Sequence, residues 1–417
     1  MVSYPGVDNP PFRLSMLIYD RRYRSLTVQV VVFIAVMLAA SWLINNVLMN
    51  LSVLGKTLSF DFLFRRAGYD IPQQLIPYNS DDTHLRATVV GLLNTLLVSV
   101  LGCVSATVLG VIVGVLRLSS NWLIARLMTI YVEVFRNIPL LLWILVVLAI
   151  FTEVLPPPNA YRGDNPAASM ILFDLVAPTN RYTAIPSLGM TNPPGTLALG
   201  REGISWAFIA FVVVIAAAWI GHRVLRNWAQ RIQDATGRRP TTWWITLAMY
   251  ALPVLFLTWH FGLHLVPPVL RGFNFAEGIN LDNALVVLWL ALTLYTGAFI
   301  AEIVRAGILA VSRGQSEAAF ALGMRPRRTM SLVVLPQALR VIIPPLISQY
   351  LNLTKNSSLA IAVGYMDLRG TLGGTTLNQT GREMECMVLM MGIYLLLSLL
   401  ISGGMNVFNS RVKLKER

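Results

Sequence analysis

The feature that most constrains this chain is the recurrence of apolar runs long enough to cross a lipid bilayer. They fall near 27–48, 88–116, 124–152, 203–222, 243–267, 284–310, 338–364 and 387–407. Each is on the order of 20 residues or more, which at a rise of about 1.5 Å per residue spans a hydrocarbon core of about 30 Å. An α-helix satisfies its own backbone in lipid, so the runs predict an all-α integral membrane protein with about eight transmembrane helices. The run at 243–267 is interrupted by Pro253 and carries His260 and His264 in its second half. It is read as a span because neighbouring helices can satisfy the backbone that such a Pro frees.

Composition agrees: 55% of residues are hydrophobic and 13% charged, with mean hydropathy +0.63. A net charge of +13 would point a soluble chain toward nucleic acid. Here the basic residues sit mostly in short loops between apolar runs, and the aromatics form no stacking platform for bases, so no nucleic-acid partner is expected. Arg13, Arg21, Arg22 and Arg24 precede the first run, and Arg117 and Arg126 flank the connector after the second. Arg223, Arg226, Arg231, Arg238 and Arg239 crowd the connector after the fourth. Arg313, Arg325, Arg327, Arg328 and Arg340 surround the connector before the seventh, and Arg411, Lys413, Lys415 and Arg417 end the chain. With eight spans all of these share one side, and the other side mixes acids with bases (Asp61, Arg65, Arg66, Asp70, Asp81, Asp82, Asp164, Asp174, Arg201, Glu202). The positive-inside rule places both termini in the cytoplasm.

The first run begins near residue 27 with no small-residue cleavage site behind it, and reads as a retained anchor. Residues 51–87 and 153–200 are rich in Gly and Pro, including Pro156-Pro157-Pro158, Asn165-Pro166 and Asn192-Pro193-Pro194, and read as outer loops with some local structure. Cys103 and Cys386 lack metal-ligand spacing and read as structural thiols, with no metal site. His260 and His264, four apart on a possible helix face, have no third ligand near in sequence.

One connector carries a spaced motif: Glu317-Ala318-Ala319, three residues, Gly323, nine residues, Val333, one residue, then Leu335-Pro336. Glu317 to Leu322 suits a helix, Gly323 supplies the positive φ of a helix end, and Leu335-Pro336 is expected to close the segment because Pro has no N–H. This pattern resembles the EAA loop of ABC importer permeases, with Val333 where the family usually has Ile. The resemblance implies a cytoplasmic loop that docks on an ATPase subunit through Glu317, Ala318, Ala319, Gly323, Leu335 and Pro336.

Two further regions resemble the polar amino acid branch of that family. One is Gly91 to Gly102 with Gly114 to Ser119 and Tyr131 to Leu141; the other runs from about Leu292 to Leu400 and holds Ala301 to Gly307 and Thr354 to Ala360. The resemblance implies a five-helix type I ABC importer permease core, divided here by a Pro-rich loop and two extra helices, as in the larger permease subunits of general L-amino acid importers. The expected organisation is 1–87, N-terminal tail, first helix and periplasmic loop; 88–152, first part of the core; 153–283, the insertion; and 284–417, second part of the core with the coupling loop. It further implies the bacterial inner membrane, a second and different permease chain, two copies of an ABC ATPase, and a periplasmic amino acid-binding protein.

No catalytic centre is visible. Gly55-Lys56-Thr57 ends like a phosphate-binding loop, but Asn50 stands where the first glycine is required. ATP and Mg would therefore bind the partner ATPase subunits, and this chain is expected to bind no cofactor. Ionisable residues inside spans are the candidates for a substrate path, because each costs about 3 kcal/mol or more in lipid. They are Glu133, Arg136 and Asn137 on one helix, and Glu302 with Tyr295 and Thr296 before it; Lys355, Asn356, Ser357 and Ser358 form the densest polar cluster in any run. Each has a plainer reading as a self-neutralising pair or an interhelical hydrogen bond. An ion-coupled secondary amino acid transporter is the alternative function, disfavoured because it has no ATPase to dock.

Overall fold

The structure is a computed structural model describing residues 16–53, 55, 57–163, 166–199 and 202–412. Arg13, Lys56, Asp164, Asn165, Arg201, Lys413, Lys415 and Arg417 lie outside the described residues. The chain divides into two compact units, Met1–Asp61 and Phe62–Arg417. The first contains α1 (Arg21–Val53), whose apolar side chains are exposed along its length, as suits a helix solvated by lipid.

In the second unit lie α2 (His84–Leu116), α3 (Trp122–Asn137), α4 (Leu140–Ala149), α5 (Trp206–Thr236), α6 (Trp243–His260), α7 (Asn283–Leu309), α8 (Arg313–Ala321), α9 (Leu335–Asn356) and α10 (Glu383–Val412). Among the described residues seven helices are long and apolar enough to cross a membrane, and eight spans result if one bent pair is counted together. Helix starts are set by side-chain caps: Thr83 accepts from Arg86 N–H, Asn121 from Leu123 and Ile124, Ser205 from Ala207, and Asp282 from Ala284.

The centre of the unit is α7. Of its most apolar window 67% is buried, against 6% for α5, α6 or α10, whose apolar faces are left for lipid. It packs directly on α2, because Gly110 and Gly114 let the two backbones meet. A Cβ on Gly110 would come within 2.6 Å of Ile300 and 2.9 Å of the Gly297 carbonyl, and one on Gly114 within 2.6 Å of the Ala301 carbonyl. α4 adds Ile144 and Val147 to the same core. From α3, Val132 packs near Ala298 and Ala301, and the Tyr131 hydroxyl donates to the Leu294 carbonyl at 2.6 Å.

Four expectations are corrected. The run at 124–152 is not one straight span: α3 and the helical stretch 140–154 meet at 107°. Pro139 is the reason, since it lacks an N–H and forces Ile138 into extended backbone, φ −102° and ψ 134°. The run at 243–267 stops being helical at His260. Residues 263–266 form a strand, so His260 and His264 share no helix face. Leu335-Pro336 does not close the coupling segment. Pro336 falls in the first turn of α9, where a missing N–H costs little, and helical backbone continues from Pro326 to Val363 through a π turn at Met330–Val334. The outer segments of the insertion are also more ordered than loops. Their strands are β1 (Ala177–Pro178), β2 (Tyr182–Ile185), β3 (Ser187–Met190), β4 (Thr196–Leu199), β5 (Glu202–Ser205), β6 (Leu263–Val266), β7 (Val269–Arg271), β8 (Asn274–Ala276) and β9 (Ile279–Asp282). All pair antiparallel, in the order β1-β2-β9, β3-β6, β4-β5 and β7-β8. Tyr182 faces Asp282 and Ile185 faces Ile279.

Between α9 and α10 the chain folds back onto α2. Leu368 N–H donates to the Thr95 hydroxyl at 3.0 Å, the Tyr365 hydroxyl to the Asn94 carbonyl at 3.2 Å, and Asn94 Nδ2 to the Met366 carbonyl at 2.9 Å. Asp367 is fully buried there, accepting from Gly370 N–H at 2.8 Å and the Tyr394 hydroxyl at 3.3 Å. The sequence gives no periodic signal for this fold-back, which rests on non-local hydrogen bonds.

The α2–α7 contact sets a test. Gly110→Val forces the two backbones apart and is expected to destabilise the purified chain by about 2 kcal/mol. Gly392→Val in α10, where an added Cβ meets nothing within 4 Å, leaves the melting temperature unchanged. Equal melting of both variants would refute the assignment.

Candidate functional site

The strongest charged cluster in the unit is centred on Glu302. It follows from three local facts. Glu302 and Arg305 stand three apart on α7, one face of the same helix turn. Arg117 caps the end of α2, which the glycine contact holds against α7. Arg136 lies in the last turn of α3, just before the bend at Pro139. Arg305 donates twice to Glu302, Nη2 to Oε1 at 2.6 Å and Nε to Oε2 at 3.2 Å. Arg117 Nη1 donates to Oε2, and Arg136 Nη1 stands 4.0 Å from the same oxygen. Three guanidiniums thus converge on one carboxylate.

Arg136 also lies over the Phe299 ring, 5.3 Å from its centroid, which helps hold a cation that Glu302 does not fully engage. Its Nε is buried without a hydrogen-bond partner among the described residues. Beside it opens a cleft of about 670 Å³ between α7 and α9, lined in part by Arg136, Phe299, Glu302, Ser348 and Gln349, with Pro344 and Pro345 on its α9 wall. These prolines free backbone carbonyls of α9 one turn earlier. The cleft has the makings of a site for a small polar solute: one cation, one carboxylate, a hydroxyl and an amide beside an aromatic ring.

Of the candidates read from sequence, Glu302 and Arg136 are brought together. Glu133 does not pair with Arg136; its carbonyl accepts from Asn137 Nδ2 at 2.7 Å and its carboxylate at 3.4 Å. Thr296 is buried in the α2–α7 core, and the Tyr295 ring sits 5.0 Å from Phe299, two turns before Glu302. Lys355, Asn356, Ser357 and Ser358 are not among the cleft's lining residues. They lie beyond Gln349 by roughly 9 Å of helix rise. The Ser357 hydroxyl donates to Thr354 O and that of Ser358 to Lys355 O, both at 2.7 Å, so both tie down the change from α-helix to 3₁₀ turn at the end of α9. Sequence reasoning missed Arg117, which its place after an apolar run marked only as a topology signal, and Phe299, Ser348 and Gln349, which had no distinguishing pattern.

The motif residues of the connector form a second candidate site. α8 spans Arg313–Ala321, and Gly323 follows at φ +75°. Gly323 N–H donates to Phe320 O at 2.9 Å and Met324 N–H to Ala319 O at 3.1 Å, the paired bonds of a Schellman ending that only a left-handed residue permits. Ala319 is buried, whereas Glu317, Ala318, Phe320 and Leu322 are exposed, Leu322 by 83%. Phe320 and Leu322 are thus exposed beside the exposed Arg325, Arg327 and Arg328.

The Glu302 cluster yields an order of effects. Glu302→Gln removes the carboxylate that three arginines share and is expected to destabilise the purified chain by about 2–3 kcal/mol. Arg117→Gln costs less, and Arg305→Gln least, because Arg305 is the more exposed partner and Glu302 then keeps Arg117. Thermal unfolding of the three variants in detergent checks the ranking; a reversed order contradicts the network.

Comparison with known proteins bears on the family of the chain. A family model described as the binding-protein-dependent transport system inner membrane component matches residues 213–414. The chain is 58% identical to the glutamate/glutamine/aspartate/asparagine transport system permease protein BztB of Rhodobacter capsulatus, over 98% of this chain and 99% of that protein. It is 44% identical to the general L-amino acid transport system permease protein AapQ of Rhizobium johnstonii, over the full length of both. A putative amino-acid ABC transporter permease protein, YhdX of Escherichia coli, is 44% identical over 94% of this chain and 95% of its own. The exposed motif helix, the multi-span core and this likeness end to end converge: the chain belongs to the binding-protein-dependent transport system inner membrane components, the permeases of ABC importers.

Proposed function

We propose that this chain is the membrane permease of an ATP-driven L-amino acid importer of polar or broad specificity, one of two different permease chains in the complex. The observation that carries the coupling half of this reading is α8: an exposed, Schellman-closed helix between two spans, with Glu317, Phe320 and Leu322 offered to a partner. ATP and Mg belong to two ATPase subunits that grip this helix, and a periplasmic binding protein delivers the solute to the opposite face. The names of the relatives, glutamate to asparagine in one and general L-amino acids in another, support amino acids as the solute class. Both termini and α8 face the cytoplasm on the lysine and arginine distribution.

The stroke has a mechanical route. Helical backbone is unbroken from Pro326, two residues beyond Met324, to Val363, so a push that α8 passes through the short turn at 322–325 reaches the wall of the cleft at Val341 to Gln349 along one continuous helix. The solute's carboxylate pairs with Arg136 and its ammonium with Glu302 as the two helices part.

Reconstituted with its partners, Glu317→Lys or Gly323→Pro abolishes uptake and binding-protein-stimulated ATP hydrolysis while the chain stays inserted. Survival of both activities sinks the coupling role. Arg136→Ala cuts uptake per assembled complex about tenfold, equivalent to ~1.4 kcal/mol; unchanged uptake for every amino acid places the path elsewhere. For orientation, with Cys103 and Cys386 replaced by Ala, a cysteine at Gln315 resists impermeant thiol reagents in intact cells, while one at Phe173, 97% exposed, reacts. Labelling at Gln315 from outside reverses the topology.

A further inference from the structure

The inserted helices α5 and α6 carry a second polar concavity, far along the chain from the Glu302 cluster. It is a pocket of about 220 Å³ lined by His222, Leu225, Arg226, Arg239, Thr242 and Thr246. No carboxylate lines it, and no ion pair is found for Arg226 or Arg239 among the described residues. Both arginines are exposed, whereas His222, Thr242 and Thr246 are half-buried. The Thr246 hydroxyl stands 3.4 Å from His222 Nδ1.

The pocket is built rather than accidental. His222 and Arg226 are four apart, hence on one face of α5. Gly237, at φ +70°, ends α5 with its N–H on Gln233 O at 2.8 Å, and the Thr236 hydroxyl accepts from Arg238 N–H at 3.4 Å. That tight turn brings Arg239 back over the helix. One residue before His222, Gly221 leaves room for the Met249 methyl of α6, which a Cβ there would meet at 2.2 Å.

Its depth is also informative. Trp206 and His222 are separated by roughly 24 Å of helix rise, close to one hydrocarbon thickness. The pocket therefore sits where α5 leaves the apolar layer. Trp243 and Trp244, 71% and 56% exposed, ring the same level, and Arg223 lies 3.7 Å over the Trp219 ring. Such tryptophans occupy the headgroup region. The positive-inside rule accounts for basic residues in this connector, but not for two unpaired arginines, two hydroxyls and an imidazole converging on one hollow. A volume of several waters, each about 30 Å³ in the liquid, accommodates a tetrahedral anion.

We propose that this pocket binds a phosphate group, and that an anionic phospholipid of the adjoining leaflet supplies it, seated with its headgroup between Arg226 and Arg239 and its tails along the exposed apolar faces of α5 and α6. Arginine–phosphate hydrogen bonds at membrane depth are charge-assisted, and basic pockets between transmembrane helices are suited to such headgroups. The site requires no transport activity and stands apart from the coupling helix.

The test uses the full chain purified in neutral detergent, with lipid retention read by native mass spectrometry during titration with phosphatidylglycerol, phosphatidylcholine or inorganic phosphate. Wild type is expected to retain phosphatidylglycerol over phosphatidylcholine, and R226Q/R239Q to retain about tenfold less. R226K/R239K keeps most of the retention, and R231Q, which removes one charge on α5 outside the pocket as R239Q does within it, keeps all of it. R239Q alone, in the turn beyond α5, also loses retention, and covers the case in which the double variant is not monodisperse. Equal retention by wild type and both pocket variants overturns the site. Displacement of the lipid by millimolar inorganic phosphate overturns the lipid as its occupant.

Discussion

The second unit depends on how closely α2 and α7 approach. In lipid there is no hydrophobic drive to bring two apolar helices together, so association rests on backbone proximity and dispersion. Gly110 and Gly114 provide this on α2, and Gly297 on α7 meets Leu109 in return. The contact buries α7 on most of its surface and fixes the end of α2, which is why Arg117 reaches Glu302 at all. α3 and α4 then pack on α7 from the far side of a bend that Pro139 imposes. Helix crossing, burial and the charged cluster are thus consequences of a few absent side chains.

The Glu302 cluster is unbalanced by design of its surroundings. Three guanidiniums face one carboxylate, and the third, Arg136, is held as much by Phe299 as by charge. A fully matched quartet would be rigid. An excess cation above an open cleft is available to an anion, and costs less than a bare charge in lipid because the aromatic ring and the shared carboxylate compensate it. Glu302 therefore holds helices together, and in the function proposed above the same carboxylate also meets the solute, so its substitution is expected to read out in stability as well as transport.

The spans are legible because lipid demands long uninterrupted apolar runs, and α8 because Ala, Leu and Gly323 obey local rules. What sequence order could not convey is which elements meet. The plainer reading of Glu133 and Arg136, a pair on one helix, fails because Arg136 turns to Glu302 on another helix. The density of polar groups at Lys355 to Ser358 does not reveal that the Ser357 and Ser358 hydroxyls bond to their own helix backbone. Pro139 and Pro336 carry the same chemistry with opposite outcomes. The first breaks a helix at 107°, while the second enters a first turn after a π turn has shifted the register. Context two residues away decides between them. The β strands around the α5–α6 hairpin escaped because they are two to four residues long, and two of their pairings, β2–β9 and β3–β6, cross two intervening helices.

That pairing has an architectural consequence. Ile185 lies opposite Ile279, and Tyr182 opposite Asp282. The chain therefore leaves the permease scaffold and re-enters it at a single seam, making everything between a closed excursion. A segment tethered at one point leaves the entropy of closing the surrounding scaffold almost unaltered, and loop-closure cost grows only logarithmically with the length of an excursion. The α5–α6 hairpin lies inside that excursion, so the β2–β9 seam bears the strain of any change in its length before the buried helices do.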